Sequence, residues 1–375
     1  MAYFASKEED DSFKFMLFSA VVVGLLTLLA GLRASSVGTD TTSYALPLYE
    51  IAFSSGSFAD FYSASWYRIW RYVGVDSFEI GYLLLVWVSS RIGSFQVLLF
   101  LTSMLIVLPL YVAFAKKRNK VSLPICVALF MLVYFNTTMN GMRQWVAIAF
   151  VFLAVFAEYK DGVPLYRQVK VILCFLVALS FHTSAIIGLL VLLARIALVG
   201  ERALERYFLI TCLALLSLML LSFAEPVLLS LGLEKYLPYI GSGSIHIVPK
   251  ALLVQLPFFL LALYLYRSRR ADDQVALFFL AMMTLSVIIT QTASLGAHSA
   301  RMGLYFDVFE IPLAGLATSS FANSIKNEAS LLLNRESAIA VLIPVLCFVY
   351  GLVYWLYYYL YSGSGETVPY LFFWQ

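Results

Sequence analysis

Apolar runs long enough to cross a bilayer recur along almost the whole chain. They lie near residues 14–32, 95–115, 121–136, 144–158, 169–182, 184–199, 207–224, 250–266, 274–291, 302–321 and 338–361, and a shorter run at 79–90 ends at Arg91. In hydrocarbon the backbone polar groups must be satisfied internally, which leaves helices or closed barrels. Runs of this length specify helices, because a barrel strand needs only about 10 residues. Composition agrees: 62% of the 375 residues are hydrophobic and 13% charged, against about a quarter charged in soluble domains. The expected fold is all-α, a polytopic transmembrane helix bundle of about 11–12 membrane segments. Residues 1–375 read as a single integral membrane domain.

The remaining composition excludes several classes. A net charge of +3 suggests no nucleic-acid partner. Cys126, Cys174, Cys212 and Cys347 all fall inside apolar runs and read as core-packing thiols rather than a disulfide framework or metal site. Three widely separated histidines argue against a closed zinc site. The start, "MAYFASKEEDDSFKF", lacks a basic region followed by a small-residue cleavage site, so the first run is expected to be a retained helix.

Lysine and arginine in short loops set the orientation. The basic loops are "KKRNK" (116–120), "YKDGVPLYRQVK" (159–170), "RIALVGERALER" (195–206) and "YRSRR" (266–270). Two apolar runs separate each successive pair, so all four can lie on the cytoplasmic side, with "NSIKNEASLLLNRES" (323–337) joining them. This map places residues 1–13 in a cytoplasmic tail, 33–78 in an outer loop and 362–375 in an outer C-terminal tail. A full span at 79–92 would put "KKRNK" outside, so 79–92 reads as a half-span or re-entrant helix entered from outside. The alternative is an outer N-terminus with a full span there. The periodicity of "FYSASWYRIWRYV" (61–73) predicts an in-plane interfacial helix within the outer loop.

The outer face then collects "RASSVGTDTTSY", "NTTMNGMRQ", "FHTS", the 225–249 loop and "QTASLGAHSAR", together with all three histidines, His182, His246 and His298. In "NTTMNGMRQ", Arg143 falls in the first turn of the next helix, where a cation is normally unfavourable. With Asn140 as the cap, an anion bound there would gain from both the helix end and the guanidinium fork. The structural alternative is an arginine snorkelling to the interface. Arg301 repeats the arrangement with Ser299 as its cap, and His298 is three residues back. The two arginines read as two walls of one anion site. Asp307 is an intramembrane carboxylate and so a functional candidate, although it could instead pair with a buried cation. His182, at a hairpin turn, could take a proton from a hydroxyl, or serve only as a turn residue. Thr183 or Ser184 could cap the helix that follows it. Asp40 in "VGTDTTSY" could act as a base or bind sugar hydroxyls, or form an ordinary Asx turn. Glu79 starts the suspected half-helix, where a carboxylate is ordinary capping electrostatics unless its neighbours say otherwise. Asn140 and Gln144 flank Arg143 as supporting or sugar-binding groups.

The ordered set "GTDTTSY", "FEIGYLLL", "NGMRQWVAIAF", "LSFHTSAIIGLL", "ARMGLYFDVFEIP" and "VPYLFF" resembles the EpsG-type family of bacterial exopolysaccharide and O-antigen repeat-unit polymerases, related in role to Wzy. The resemblance covers nearly the whole chain. One departure is Thr41, where the family pattern often places an aromatic residue after the acid. The resemblance implies a multi-pass glycosyltransferase of the bacterial cytoplasmic membrane, N-terminus inside and C-terminus outside. It would act on oligosaccharide repeats carried on undecaprenyl diphosphate, with a flippase and a chain-length regulator as candidate partners. Arg143 and Arg301 suit the leaving diphosphate, and His182 or Asp40 suits the acceptor hydroxyl. No acidic pair has metal-binding spacing, so metal-independent chemistry without a cofactor is expected, arginine replacing a divalent ion. Competing readings are an O-antigen ligase-like transferase, a transporter or flippase, and a polysaccharide acyltransferase. A transporter would be expected to show inverted repeats, and no convincing internal repeat is evident.

Overall fold

A computed structural model describes residues 12–68, 71–221, 229–230, 246–269, 271–294, 301–327 and 335–375. The chain divides into two compact units, Met1–Ile186 with Pro344–Gln375, and Ile187–Ile343.

In the first unit α1 (Ser12–Gly31) leads to a π-helical turn, Thr41–Ala45, that runs straight into α2 (Leu46–Ser54). There follow α3 (Phe58–Ser63), β1 (Ser65–Arg68), β2 (Arg71–Gly74), α4 (Ile80–Ile92), α5 (Phe95–Lys116), α6 (Leu123–Leu129), α7 (Phe135–Thr138), α8 (Met142–Phe152) and α9 (Val169–Phe181). The second unit holds α10 (Ile187–Ala197), α11 (Ala203–Leu221), α12 (Pro249–Ser268), α13 (Asp273–Thr290), α14 (Leu304–Asp307) and α15 (Glu310–Asn327). The last helix, α16 (Arg335–Trp355), belongs to the first unit from Pro344 onward.

The fold is the expected all-α membrane bundle. Among the described residues, 6 helical segments are long and apolar enough to cross a membrane: Ser12–Gly31, Phe95–Lys116, Ala203–Leu220, Pro249–Ser268, Asp273–Ser294 and Val341–Tyr361. Shorter apolar helices, Ile80–Ile92, Leu123–Thr138, Val169–Phe181 and Thr183–Ala197, account for the runs at 79–90, 121–136, 169–182 and 184–199. With 13 residues, α4 is about 20 Å long, short of the roughly 30 Å hydrocarbon core. That length suits a half-span.

Three sequence expectations are corrected. The segment 61–73 is not one helix: α3 ends at Ser63, and β1 pairs antiparallel with β2 in the register Ser65↔Gly74, Trp66↔Val73, Tyr67↔Tyr72. Its aromatic residues favour a pleated surface as readily as a helix face. Tyr67 meets Tyr72 across the strands at 5.3 Å between ring centroids, and Trp66 packs on Phe78. The expected outer loop 33–78 is therefore largely structured, with helix already over 39–54. The run 302–321 is broken: α14 stops at Asp307 and α15 starts at Glu310. Pro312 explains the break, since its ring excludes the carbonyl of Val308 from a continuous helix. Finally, Cys126 and Cys347 are buried, but Cys212 is exposed on α11.

The first unit keeps its polar ends apart. At one end Lys116 pairs with Glu158 and Arg118 lies over the Phe15 ring at 4.3 Å. At the other, the C-terminal tail lies against the turn after α1: Ala34 N donates to Leu371 O at 2.8 Å and Phe373 N to Leu32 O at 2.9 Å. Asn136 adds a bond to Thr367 Oγ1 at 2.8 Å. The charge map likewise puts the 116–120 loop on the side opposite the tail and the 136–144 segment.

Candidate functional site

The end of the first unit that carries the tail also carries a cluster of polar side chains, centred on the start of α8. Gly141, not Asn140, is the residue before that helix. Asn140 instead accepts at Oδ1 from the Thr39 N–H (2.6 Å) and hydroxyl (3.1 Å), tying the 33–41 turn to α8. Gly38 makes the approach possible, with φ +89 and an imagined Cβ 2.8 Å from the Met139 carbonyl. The anion that answers the helix dipole is Asp40. Its Oδ2 accepts the Met142 N–H at 3.3 Å and the Tyr44 hydroxyl at 2.6 Å. Burial, reinforced by Asp40, holds the Tyr44 hydroxyl well above its ordinary range, so it stays a donor.

Arg143 follows in the first turn and is neither snorkelling nor open. Its Nη1 forms an ion pair with Glu79 Oε2, the two side chains being 19% and 14% exposed. The guanidinium lies over the rings of Phe78 (4.5 Å), Tyr44 (4.9 Å) and Tyr82 (5.9 Å), contacts that favour a cation further. The chain thus supplies its own carboxylate where the helix dipole disfavours the cation.

Glu79 also joins this group to the His182 turn. Its Oε1 accepts the Thr183 N–H at 3.0 Å, and it makes no side-chain cap to α4. Gly81 sets the spacing. A Cβ there would stand 2.5 Å from Ser180 Oγ and 2.7 Å from the Ser180 carbonyl, so only glycine lets α4 touch the end of α9. His182 is the residue after α9, in extended backbone. It caps the following turn itself, with Nδ1 accepting the Ser184 N–H at 3.1 Å and 2.7 Å from Ser184 Oγ.

Asp40, Glu79, Asn140, Arg143 and His182, chosen from four separate stretches of sequence, therefore form one connected group. Gln144 is buried beside Arg143 on α8. The sequence reading missed Arg33. This side chain is 1% exposed and donates to Ala30 O (2.7 Å), Thr41 Oγ1 (3.4 Å) and Met142 Sδ (3.0 Å). Burial, opposed by Tyr370, Tyr82, Tyr44 and Asp40, pulls its guanidinium down to about 10, which leaves it cationic at pH 7. Coming straight after the first apolar run, it has the signature of an interfacial arginine, and its contacts with Thr41 and Met142, with the tail paired beside it at Phe372, show otherwise. Among the described residues the buried side-chain atoms without a partner are Arg33 Nε, Tyr82 OH, Arg143 Nε and Trp145 Nε1. Two are the site's guanidiniums and a third is the ring beneath Arg143. Arginine Nε and indole N–H can only donate, and a phenol donates readily, so the polar balance here favours an oxyanion.

Arg301 belongs to the second unit, exposed at the start of the turn Arg301–Gly303 that leads into α14. His298 and Ser299 lie outside the described residues. Asp307 is held by neutral donors, Ser286 Oγ at 2.5 Å and Gln255 Nε2 at 3.3 Å; Gln255 in turn accepts from Thr290 Oγ1 at 2.8 Å.

A multi-pass helical membrane protein with a guanidinium–carboxylate cluster where helix ends meet is defined by these features. No curated protein and no solved structure matches the chain. The EpsG family model matches residues 16–372, and the chain belongs to that family. Its members are polysaccharide polymerase-like proteins, which points to a glycosyltransferase-like polymerase role.

Proposed function

We propose that the protein transfers a growing oligosaccharide from its lipid diphosphate to a sugar hydroxyl of another lipid-linked repeat, at the outer face of the bacterial cytoplasmic membrane. The carrier is undecaprenyl diphosphate. The observation that carries this reading is the convergence of Arg143 with Asp40, Glu79 and His182 at a donor-rich helix end, within a chain of the EpsG family. Glycosyl transfer from a lipid diphosphate needs the leaving oxygens neutralised and the acceptor proton removed. A guanidinium fork is suited to diphosphate oxygens, and Phe78, Tyr44 and Tyr82 hold the fork in place. The sequence argument adds Arg301 as a second guanidinium, with arginine in the place of a divalent ion; His298, Gln144 and Asp307 are supporting candidates.

Deleting the gene is expected to remove the polymer ladder and leave lipid-linked single repeats, with the wild-type gene restoring the ladder. Polymer of normal length in the deletion strain would contradict the reading. Arg301→Ala, compared on the same gel, tests the second guanidinium.

A further inference from the structure

His182 and Asp40 are the obvious bases for the transfer, and their hydrogen bonds argue against both. A backbone N–H can only donate, so the Ser184 N–H fixes His182 Nδ1 as an acceptor. The neutral ring then carries its proton on Nε2, and its unprotonated nitrogen faces its own turn. Asp40 has one oxygen engaged by both Tyr44 and the first N–H of α8. That arrangement anchors the helix start and does not depend on the partner of Arg143.

Glu79 differs from both. One oxygen is oriented by the Thr183 N–H at 3.0 Å, and the other is held by Arg143 alone among the contacts described. The carboxylate leaves its own helix end uncapped, so capping does not account for its position. A diphosphate arriving at Arg143 competes for the same guanidinium nitrogens. A guanidinium fork engaged by phosphate oxygens no longer holds Glu79 Oε2, which is then open to the acceptor hydroxyl.

We propose that Glu79 is the general base of the transfer, stored on Arg143 in the resting protein and released when substrate diphosphate takes the guanidinium. The inference rests on the lipid-diphosphate reading above. In the step, the acceptor hydroxyl oxygen bonds to the anomeric carbon of the donor sugar. The bond from that carbon to the diphosphate oxygen breaks, and its electron pair leaves with the diphosphate toward Arg143. The hydroxyl proton passes to Glu79 Oε2. Because the base is freed by the leaving group's own binding, deprotonation is tied to an occupied donor site.

The test uses the full-length protein in nanodiscs. Undecaprenyl diphosphate is the binding probe, and a lipid-diphosphate-linked repeat is the substrate. Glu79→Gln keeps the size of the side chain and an acceptor for the Thr183 N–H. It is expected to bind the probe as tightly as wild type or more tightly, while transfer falls by about 10²–10⁴-fold. Glu79→Asp should recover part of the rate, and thermal melts of both variants monitor folding. A Glu79→Gln protein that transfers at the wild-type rate overturns the base assignment. So does one that is folded yet loses probe binding together with transfer, since Glu79 would then be a positioning residue. Wild-type protein that neither binds the probe nor extends the repeat overturns the lipid-diphosphate reading, and the base assignment with it.

Discussion

Arg143→Ala is expected to leave the protein in the membrane at near-normal level and to stop chain extension, so that lipid-linked single repeats accumulate. Two effects act together. The substitution removes the group proposed to face charge developing on the leaving diphosphate, and loss of one such donor typically costs two to three orders of magnitude in rate. It also strands Glu79, 14% exposed, without its cation. The lost charged hydrogen bond costs about 2 kcal/mol, which a polytopic bundle should tolerate. Arg143→Lys keeps a point charge but loses the planar fork and its stacking on Phe78 and Tyr44, so its ladder should be short rather than absent. Immunoblots of membranes, with gels of lipid-linked and polymeric material, read both outcomes. A full ladder from Arg143→Ala would remove Arg143 from the mechanism.

The second large effect should come from the other end of the chain. Truncation after Gly363 deletes the tail that covers the turn behind Asp40. Lost with it are the bonds Ala34 N to Leu371 O, Phe373 N to Leu32 O, Gly38 N to Glu366 O, and Asn136 to Thr367. At about 1 kcal/mol each, these four sum to about 4 kcal/mol, before the exposure of Arg33 is considered. The truncated protein should melt earlier in detergent and become protease-sensitive near residues 33–41. Transfer should fall too, because Asn140, Asp40 and Arg33 lose the wall that fixes them. Unchanged melting would show that the tail rests on the unit without stabilising it.

The tail illustrates how far sequence reading reached. "VPYLFF" could be recognised as a family stretch, but nothing local said what it covers; its strand-like pairing with residues 32–34 spans more than 330 positions. Hydrophobic run length was the strong signal, since a bilayer imposes it segment by segment, and the helical bundle follows from it. Site residues were legible wherever a polar group interrupts an apolar run, as at Asp40, Glu79, Arg143 and His182. Their pairing was not, because Glu79 and Arg143 are 64 positions apart. By sequence Arg143 awaits an external anion; in the structure Glu79 occupies that place. In "SWYRIWRYV" the aromatic residues fit helical spacing and strand pairing equally, and cross-strand contacts decided for the hairpin. Tyr44 and Tyr82 were hidden for a different reason: in a chain with 24 tyrosines, composition does not single out the two that form the shelf beneath Arg143.

The central claim is that this protein extends sugars carried on a lipid diphosphate. The most direct measurement uses purified wild-type protein in liposomes, supplied with a single-repeat oligosaccharide on undecaprenyl diphosphate and with no other protein. The account predicts a ladder of two, three and more repeats, with one undecaprenyl diphosphate released per bond formed. Substrate that stays at one repeat however much protein is added, while the protein remains folded, would contradict it.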